Sequence, residues 1–370
     1  MTALRISLAA TVLLVIGLAS MWLVVERPKG SVPPPSKLVI AAALDEAVVA
    51  PLLEAFGRAY PHIQFEYRDR SSLEVDRSVT EGNPPDVVIS SAMPWQMAQV
   101  NAGLARHLDS EETRNWPEWA KWRDEVFGFT FEPIVMAYHL ELSRHVLPPE
   151  THADLLELLD SRQNLLRGRV VTYSPFNSGI GYTLFQQDAR YSSRFWDLVT
   201  SMGRVETEAL ENTLRMLEGI DSGRYWLGYN LLGSYALVYA QEHPNVIVQI
   251  PTDYSLVMMR MVFVHRDAPH PAAATTFVNF LLSEEGQGVL AGQTPMFSIR
   301  PGIKGPYTAA RLLGQVGDRL YPIPINASLL AFVDPARREA FIEHWRQAFS
   351  GDREAVDERH ERESGALIPR

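Results

Sequence analysis

Ser174-Pro175-Phe176-Asn177-Ser178-Gly179 place two hydroxyls and a carboxamide where a β-branched run ends and an apolar helical pattern begins. Such side chains, joined by the free N–H groups and the dipole of a helix start, form a seat for a phosphate or carboxylate. Ser174, Asn177, Ser178, Gly179 and Thr183 are the candidate donors, although Asn177 or Ser178 would equally serve as a plain helix cap. Ser90-Ser91-Ala92 repeats the arrangement after the apolar run Val87–Ile89, and Ala43-Leu44-Asp45 forms a third strand end. Ligands of open α/β sheets bind outside the carboxyl ends of strands, which brings Ala43, Ser90 and Ser91 into the candidate set. Asp45 reads as a cap, because its charge would repel an anion. Tyr229 and Asn230 are candidates for polar contacts, and for core packing as well. Arg260 interrupts an apolar strand pattern and needs a partner if buried, either Glu132 or an anionic ligand.

Catalytic patterns are missing. The chain lacks a phosphate loop, a His-Glu-x-x-His motif and a Gly-x-Ser-x-Gly elbow, and His139, His145 and His152 lack tight metal spacing. Zero cysteines exclude disulfides, thiol nucleophiles, cysteine metal sites and attachment of a lipid to cysteine. We therefore expect no enzyme, metal centre or cofactor. With 46% hydrophobic and 21% charged residues the composition is globular, and the net charge of −10 comes without the basic stripe of a nucleic-acid binder.

The elements that must position the candidates follow a βα rhythm. Leu38–Ala43, a helical pattern from Val48 to Tyr60, Ile63–Tyr67 and Asp86–Ile89 make one α/β unit. Gly168–Tyr173, a helical stretch 207–220, Tyr225–Tyr229, the helix Ser234–Gln241 and Val246–Ile250 make another. The strand Leu256–Val264, helices over 272–282 and 284–290, and a last helix 336–349 with Phe341 and Trp345 follow. The tail 350–370 is charged and lacks apolar spacing. Trp95, Trp116, Trp119 and Trp122 either pack or wall a cleft. At the N-terminus, Ile6–Val25 is apolar and uncharged, so residues 1–25 read as a signal peptide or a membrane anchor. A Pro-rich linker, 26–36, follows.

In order, 39-VIAAALDEAVVAPLLEAF-56, 85-PDVVISSA-92, 131-FEPIVMAYHLEL-142, 168-GRVVTYSPFNSGIGY-182, 227-LGYNLLGSYA-236 and 277-FVNFLLSEEGQGVLA-291 resemble the type II solute-binding proteins of ABC importers. The likeness is to the branch related to ferric-iron, sugar-phosphate and phosphoglycerate-type binding proteins. The resemblance implies a two-lobed α/β fold with two hinge crossings and a ligand cleft between the lobes. Lobe 1 would be discontinuous, 37–133 plus 256–349, and lobe 2 would be 134–255. It also implies ligand donors at the Ser174–Gly179 turn. Ferric-binding relatives carry adjacent tyrosines near Tyr229 and Tyr235, whereas Gly233-Ser234-Tyr235-Ala236 has no Tyr-Tyr pair. Ile180 stands where many relatives carry a hydroxyl. The implied function is periplasmic capture of a small anionic or polyhydroxylated ligand, as a monomer, for an ABC permease. The alternatives are an anchored protein reporting ligand to a membrane sensor kinase, and a ferric-iron binder.

Overall fold

The structure, a computed structural model, describes residues 36–365, with side chains described through residue 350. The stretch Ile6–Val25 and the proline linker before Ser36 lie outside the described residues. Among the described residues no helix is long and apolar enough to cross a membrane.

Two sheets organise the chain. The first contains β1 (Ser36–Ala42), β2 (Ile63–Asp69), β3 (Val87–Ser90), β4 (Lys121–Trp122), β5 (Val126–Gly128) and β12 (Met261–Val264), in the order β2-β1-β3-β12-β5-β4. β2, β1 and β3 run parallel, and β12 is antiparallel to both β3 and β5. The second sheet runs β13 (Leu320–Pro322), β11 (Ser255–Met258), β6 (Glu132–His139), β9 (Leu227–Leu232), β7 (Val170–Tyr173) and β8 (Glu208–Leu210), with β10 (Val246–Gln249) antiparallel to β6. The inner strands are apolar along both faces: Leu38, Ile40, Val87, Val88, Val170 and Val171 are fully buried. Such runs suit parallel strands covered by helices on both sides.

The helices that bear on the site are α1 (Glu46–Ala59), α2 (Ser72–Thr80), α3 (Met93–Asn101), α4 (His152–Ser161), α5 (Gly179–Tyr191), α6 (Phe195–Arg204), α7 (Thr213–Asp221), α8 (Gly233–Glu242), α9 (Pro271–Leu282), α10 (Glu284–Gln293) and α11 (Pro335–Gly365). The chain crosses between the sheets at 129–131, between β5 and β6, at 259–260, between β11 and β12, and a third time between α10 and β13. The first two crossings lie a few residues on the first-lobe side of the sequence boundaries near 133 and 255.

The segment 256–349 divides. β12, α9 and α10 lie on the first lobe, where α9 and α10 pack against α1. β13 instead extends the second sheet, and α11 packs along α6 of the second lobe. Its aromatic face decides this placement. Trp345 sits 4.2 Å from Phe185, and Phe341 lies 5.6 Å from Tyr182 and 5.2 Å from Trp196. Gly203 permits the close approach, since a Cβ there would lie 2.0 Å from the Phe349 carbonyl oxygen. The sequence assigned 207–220 to a helix. Residues Glu208–Leu210 instead form the edge strand β8, parallel to β7, and α7 begins only at Thr213.

A polar cavity between the two lobes

Four helix starts meet in the gap between the sheets. α1 follows Asp45 and α2 follows Ser71 on the first lobe; α5 follows Ser178 and α7 follows Asn212 on the second. All four cap residues line a cavity of about 450 Å³, within the range usual for small-molecule sites. The local sequence explains three of the starts. Ser71-Ser72-Leu73-Glu74 is a capping box: Ser71 Oγ accepts from Glu74 N at 3.3 Å, and Ser71 N donates to Glu74 Oε2 at 2.9 Å. Ser178 Oγ accepts from Gly181 N at 3.2 Å, and Asn212 Oδ1 from Leu214 N and Arg215 N at 2.7 and 3.2 Å. Asp45 does not cap α1; Glu46 N donates to Asp69 Oδ2 at 3.3 Å instead. The converging N-termini carry partial positive charge into the cavity from both lobes.

Formal charges on the wall balance in number, Arg70, Arg215 and Arg260 against Asp45, Asp69 and Glu211, and the Glu211 side chain, like those of Arg70 and Arg215, has no hydrogen bond or ion pair among the described residues. Asp45 accepts from the Tyr235 hydroxyl across the gap, and Asp69 covers the start of α1. Arg260 is paired with Glu132. Arg70, from the loop after β2, and Arg215, from α7, have no hydrogen bond or ion pair from their guanidinium groups among the described residues. They are exposed and belong to opposite lobes. Burial, reinforced by Asp45, pushes the Tyr235 hydroxyl well above the usual tyrosine range, and burial does the same to Tyr67 and Tyr173. All three are therefore protonated at neutral pH. Each is already engaged: Tyr235 with Asp45, Tyr67 with the Leu44 carbonyl at 2.6 Å, and Tyr173 with the Thr213 hydroxyl.

Of the residues singled out in the sequence, Ala43, Asn177 and Ser178 stand on the cavity wall. Ser174 lies one layer behind, where its Oγ accepts from Phe176 N and Asn177 N, both at 3.3 Å, and shapes the turn. Gly179 lies where the lobes touch. Its N–H donates to Ser72 Oγ at 3.2 Å, and a Cβ there would lie 2.8 Å from that of Ala92. Ser90 Oγ turns back onto Ala92 N at 3.1 Å, and Ser91 Oγ is buried without a partner; neither residue lines the cavity. Tyr229 and Asn230 point away from it, toward α5, and both donate to Asp188 Oδ2, at 2.8 and 2.7 Å. The tryptophans are elsewhere too. Trp95 packs on Tyr182, and Trp116 is buried with its indole N–H on the Gly128 carbonyl at 2.9 Å.

The wall residues Asp69–Ser72 and Ala209–Arg215 went unnoticed in the sequence. The Ser71-x-x-Glu74 box was a usable signal for the first group. The second was masked by the helical reading of 207–220, which hid the cap at Asn212.

Residues 37–293 match the family model described as bacterial extracellular solute-binding protein. The chain belongs to that family. Its members are binding proteins, and the family description places them outside the cytoplasm. This solute-binding protein is similar to the substrate binding protein of an ABC transporter from Agrobacterium tumefaciens, with 31% identity and a TM-score of 0.82 over 86% of this chain and 96% of that one. Iron uptake protein A1 of Synechocystis sp. is 26% identical over 250 residues, 62% of this chain and 66% of that protein, so the match spans just under two thirds of its length. AfuA from Actinobacillus pleuropneumoniae, solved with exogenous fructose-6-phosphate bound, shares the fold at 14% identity and a TM-score of 0.69, over 85% of this chain and 99% of that one.

Proposed function

We propose that this solute-binding protein captures a small hydroxylated anion in the cavity between its lobes and delivers it to an ABC permease. The observation that carries this reading is the pair of unpartnered guanidiniums, Arg70 and Arg215, one on each lobe. An anion about 4 Å from one of them gains roughly 4 kcal/mol at an effective dielectric near 20. Closing the second lobe over it adds the other cation and two further helix starts. Asn177, Ser178, Ser71 and Asn212 supply hydroxyl and amide groups suited to a ligand's own hydroxyls. Delivery to a permease is supported by the similarity to the Agrobacterium tumefaciens protein. Export by the segment 1–25 belongs to the same proposal; N-terminal sequencing of the mature protein distinguishes a cleaved carrier from an anchored sensor.

A second reading, ferric iron, is motivated by the Synechocystis relative. Direct coordination would require phenols that burial holds protonated to lose their protons and leave their present partners. Iron carried as an anionic chelate fits the same wall better. A thermal-shift screen of the full chain separates these possibilities. Sugar phosphates, organic acids, neutral polyols, simple ferric salts and ferric citrate would be compared, since a ligand that binds the folded state raises its apparent stability. We expect an anion to give the largest shift. A shift with simple ferric salts alone would overturn the proposal.

A further inference from the structure

Glu132 and Arg260 form an ion pair in which both side chains are buried, 0% and 2% exposed. Each stands at a crossing between the lobes. Glu132 opens β6 directly after the segment 129–131, and Arg260 lies between β11 and β12. Further bonds knit the crossings together. Phe129 N donates to the Arg260 carbonyl at 2.9 Å, Arg260 N to Thr130 Oγ1 at 2.8 Å, and Thr130 Oγ1 to Glu132 Oε1 at 2.8 Å.

The pair also touches both lobes. Arg260 Nη1 donates to the carbonyl of Ala43, at the end of β1, at 2.6 Å. Ser234 Oγ, from the first turn of α8, donates to Glu132 Oε2. The next residue, Tyr235, lies under the guanidinium at 5.7 Å and reaches across the gap to Asp45.

A guanidinium has five N–H groups, and this one does not place them all. Nη1 serves Ala43, and Nη2 reaches Glu132 Oε2 only at 3.5 Å. Nε stands 2.9 Å from Glu132 Oε1, yet its N–H is directed at no acceptor. Arg260 nevertheless lines the cavity. It is thus a buried cation, paired with Glu132, that borders the ligand site and bonds to both of these crossings. A ligand shifts a conformational equilibrium only through contacts that differ between the states, and a group that joins Ala43 to Glu132 differs whenever the lobes move.

We propose that Arg260 couples occupancy of the cleft to the separation of the lobes, with Glu132 the positioning residue that holds its guanidinium at the cavity floor. The identity of the occupant as an anion rests on the reading above; the part played at the crossings does not.

The absence of cysteine allows two labels to be introduced cleanly. Nitroxides at Glu54→Cys on α1 and Glu157→Cys on α4, both exposed and on different lobes, report lobe separation by electron–electron resonance on the full chain. Inorganic phosphate is the probe. In the otherwise native chain phosphate narrows the distance distribution. Arg260→Lys and Glu132→Gln broaden it, abolish the response to phosphate and weaken phosphate binding about tenfold or more. Removing one partner of a buried pair can unfold a protein, whereas replacing both with apolar side chains is often tolerated. The double variant Glu132→Met/Arg260→Met therefore stays folded and shows the same broadening and loss of response. Distributions identical in all four proteins, with and without phosphate, would overturn the proposal. Variants that broaden the distribution while phosphate does nothing in any protein would support the role at the crossings and count against the anion reading instead.

Discussion

Asp188 shows how a single residue sets a condition on the whole. Its carboxylate is 1% exposed and accepts from Tyr229 OH, Asn230 Nδ2 and Tyr254 OH at 2.8, 2.7 and 3.0 Å. It thereby joins α5, whose start lines the cavity, to β9 and to the residue before β11. Burial raises its pKa above the ordinary 3.8, outweighing nearby His152 and the three hydrogen bonds, which act in the opposite direction. A carboxyl whose folded pKa is raised binds its proton more tightly in the folded state than in the unfolded one. Its contribution is fully present below the unfolded value and is lost as pH rises through the folded value. Asp188→Asn removes that titration. The stability of the native chain relative to Asp188→Asn is expected to fall as pH rises from about 4. Urea midpoints of both proteins between pH 4 and pH 8 measure this, and a difference constant across the range would contradict it. At this scale the sequence was partly legible. Arg260 announced itself as a charge in an apolar strand and indeed pairs with Glu132. The buried acid that draws Tyr229 and Asn230 away from the cavity did not, because Asp188 sits 41 residues before Tyr229 and nothing local links them.

Among the elements, α11 carries the clearest energetic prediction. Trp345 is 1% exposed and is wedged against Phe185, Phe195 and Phe349. Trp345→Ala should destabilise the fold by about 3–5 kcal/mol, through lost transfer free energy and the cavity left behind. Gly203→Ala should cost about 1–3 kcal/mol by overpacking, since it forces α6 and α11 apart at the Phe349 carbonyl. Chemical denaturation of each variant, followed by the near-ultraviolet signal of the tryptophans, checks both values. The helix itself was readable from the spacing of Phe341 and Trp345. Its partner was not, because an aromatic stripe says that a face is buried without saying against what. The short strand β8 failed for a different reason. Three residues, Glu208-Ala209-Leu210, carry too little alternation to stand out from the helical pattern of Met216, Leu217 and Ile220.

The whole molecule follows from the alternation of strands and helices, from two crossings placed together at 129–131 and 259–260, and from a third passage that brings β13 and α11 to the second lobe. The βα rhythm gave two α/β units, and the resemblance to type II solute-binding proteins supplied the expectation of two lobes with a cleft between them. What spacing did not supply was the identity of the opposing jaw. Across the cavity the turn at Ser174–Gly179 faces Asp69–Ser72 and Ala43–Asp45, while Gly179 packs on Ala92 and the hydroxyls of Ser90 and Ser91 are turned inward. That arrangement brings Arg70 within reach of the space that Arg215 borders from the other lobe. The central claim is that these two guanidiniums hold an anion between the lobes. The direct test is calorimetric titration of the anion with the largest thermal shift into the native chain and into Arg70→Gln/Arg215→Gln. A hydrogen bond to a charged group contributes about 1.5–3 kcal/mol. Loss of both cations should therefore weaken binding by roughly two to four powers of ten. Equal affinity in the two proteins would contradict the claim.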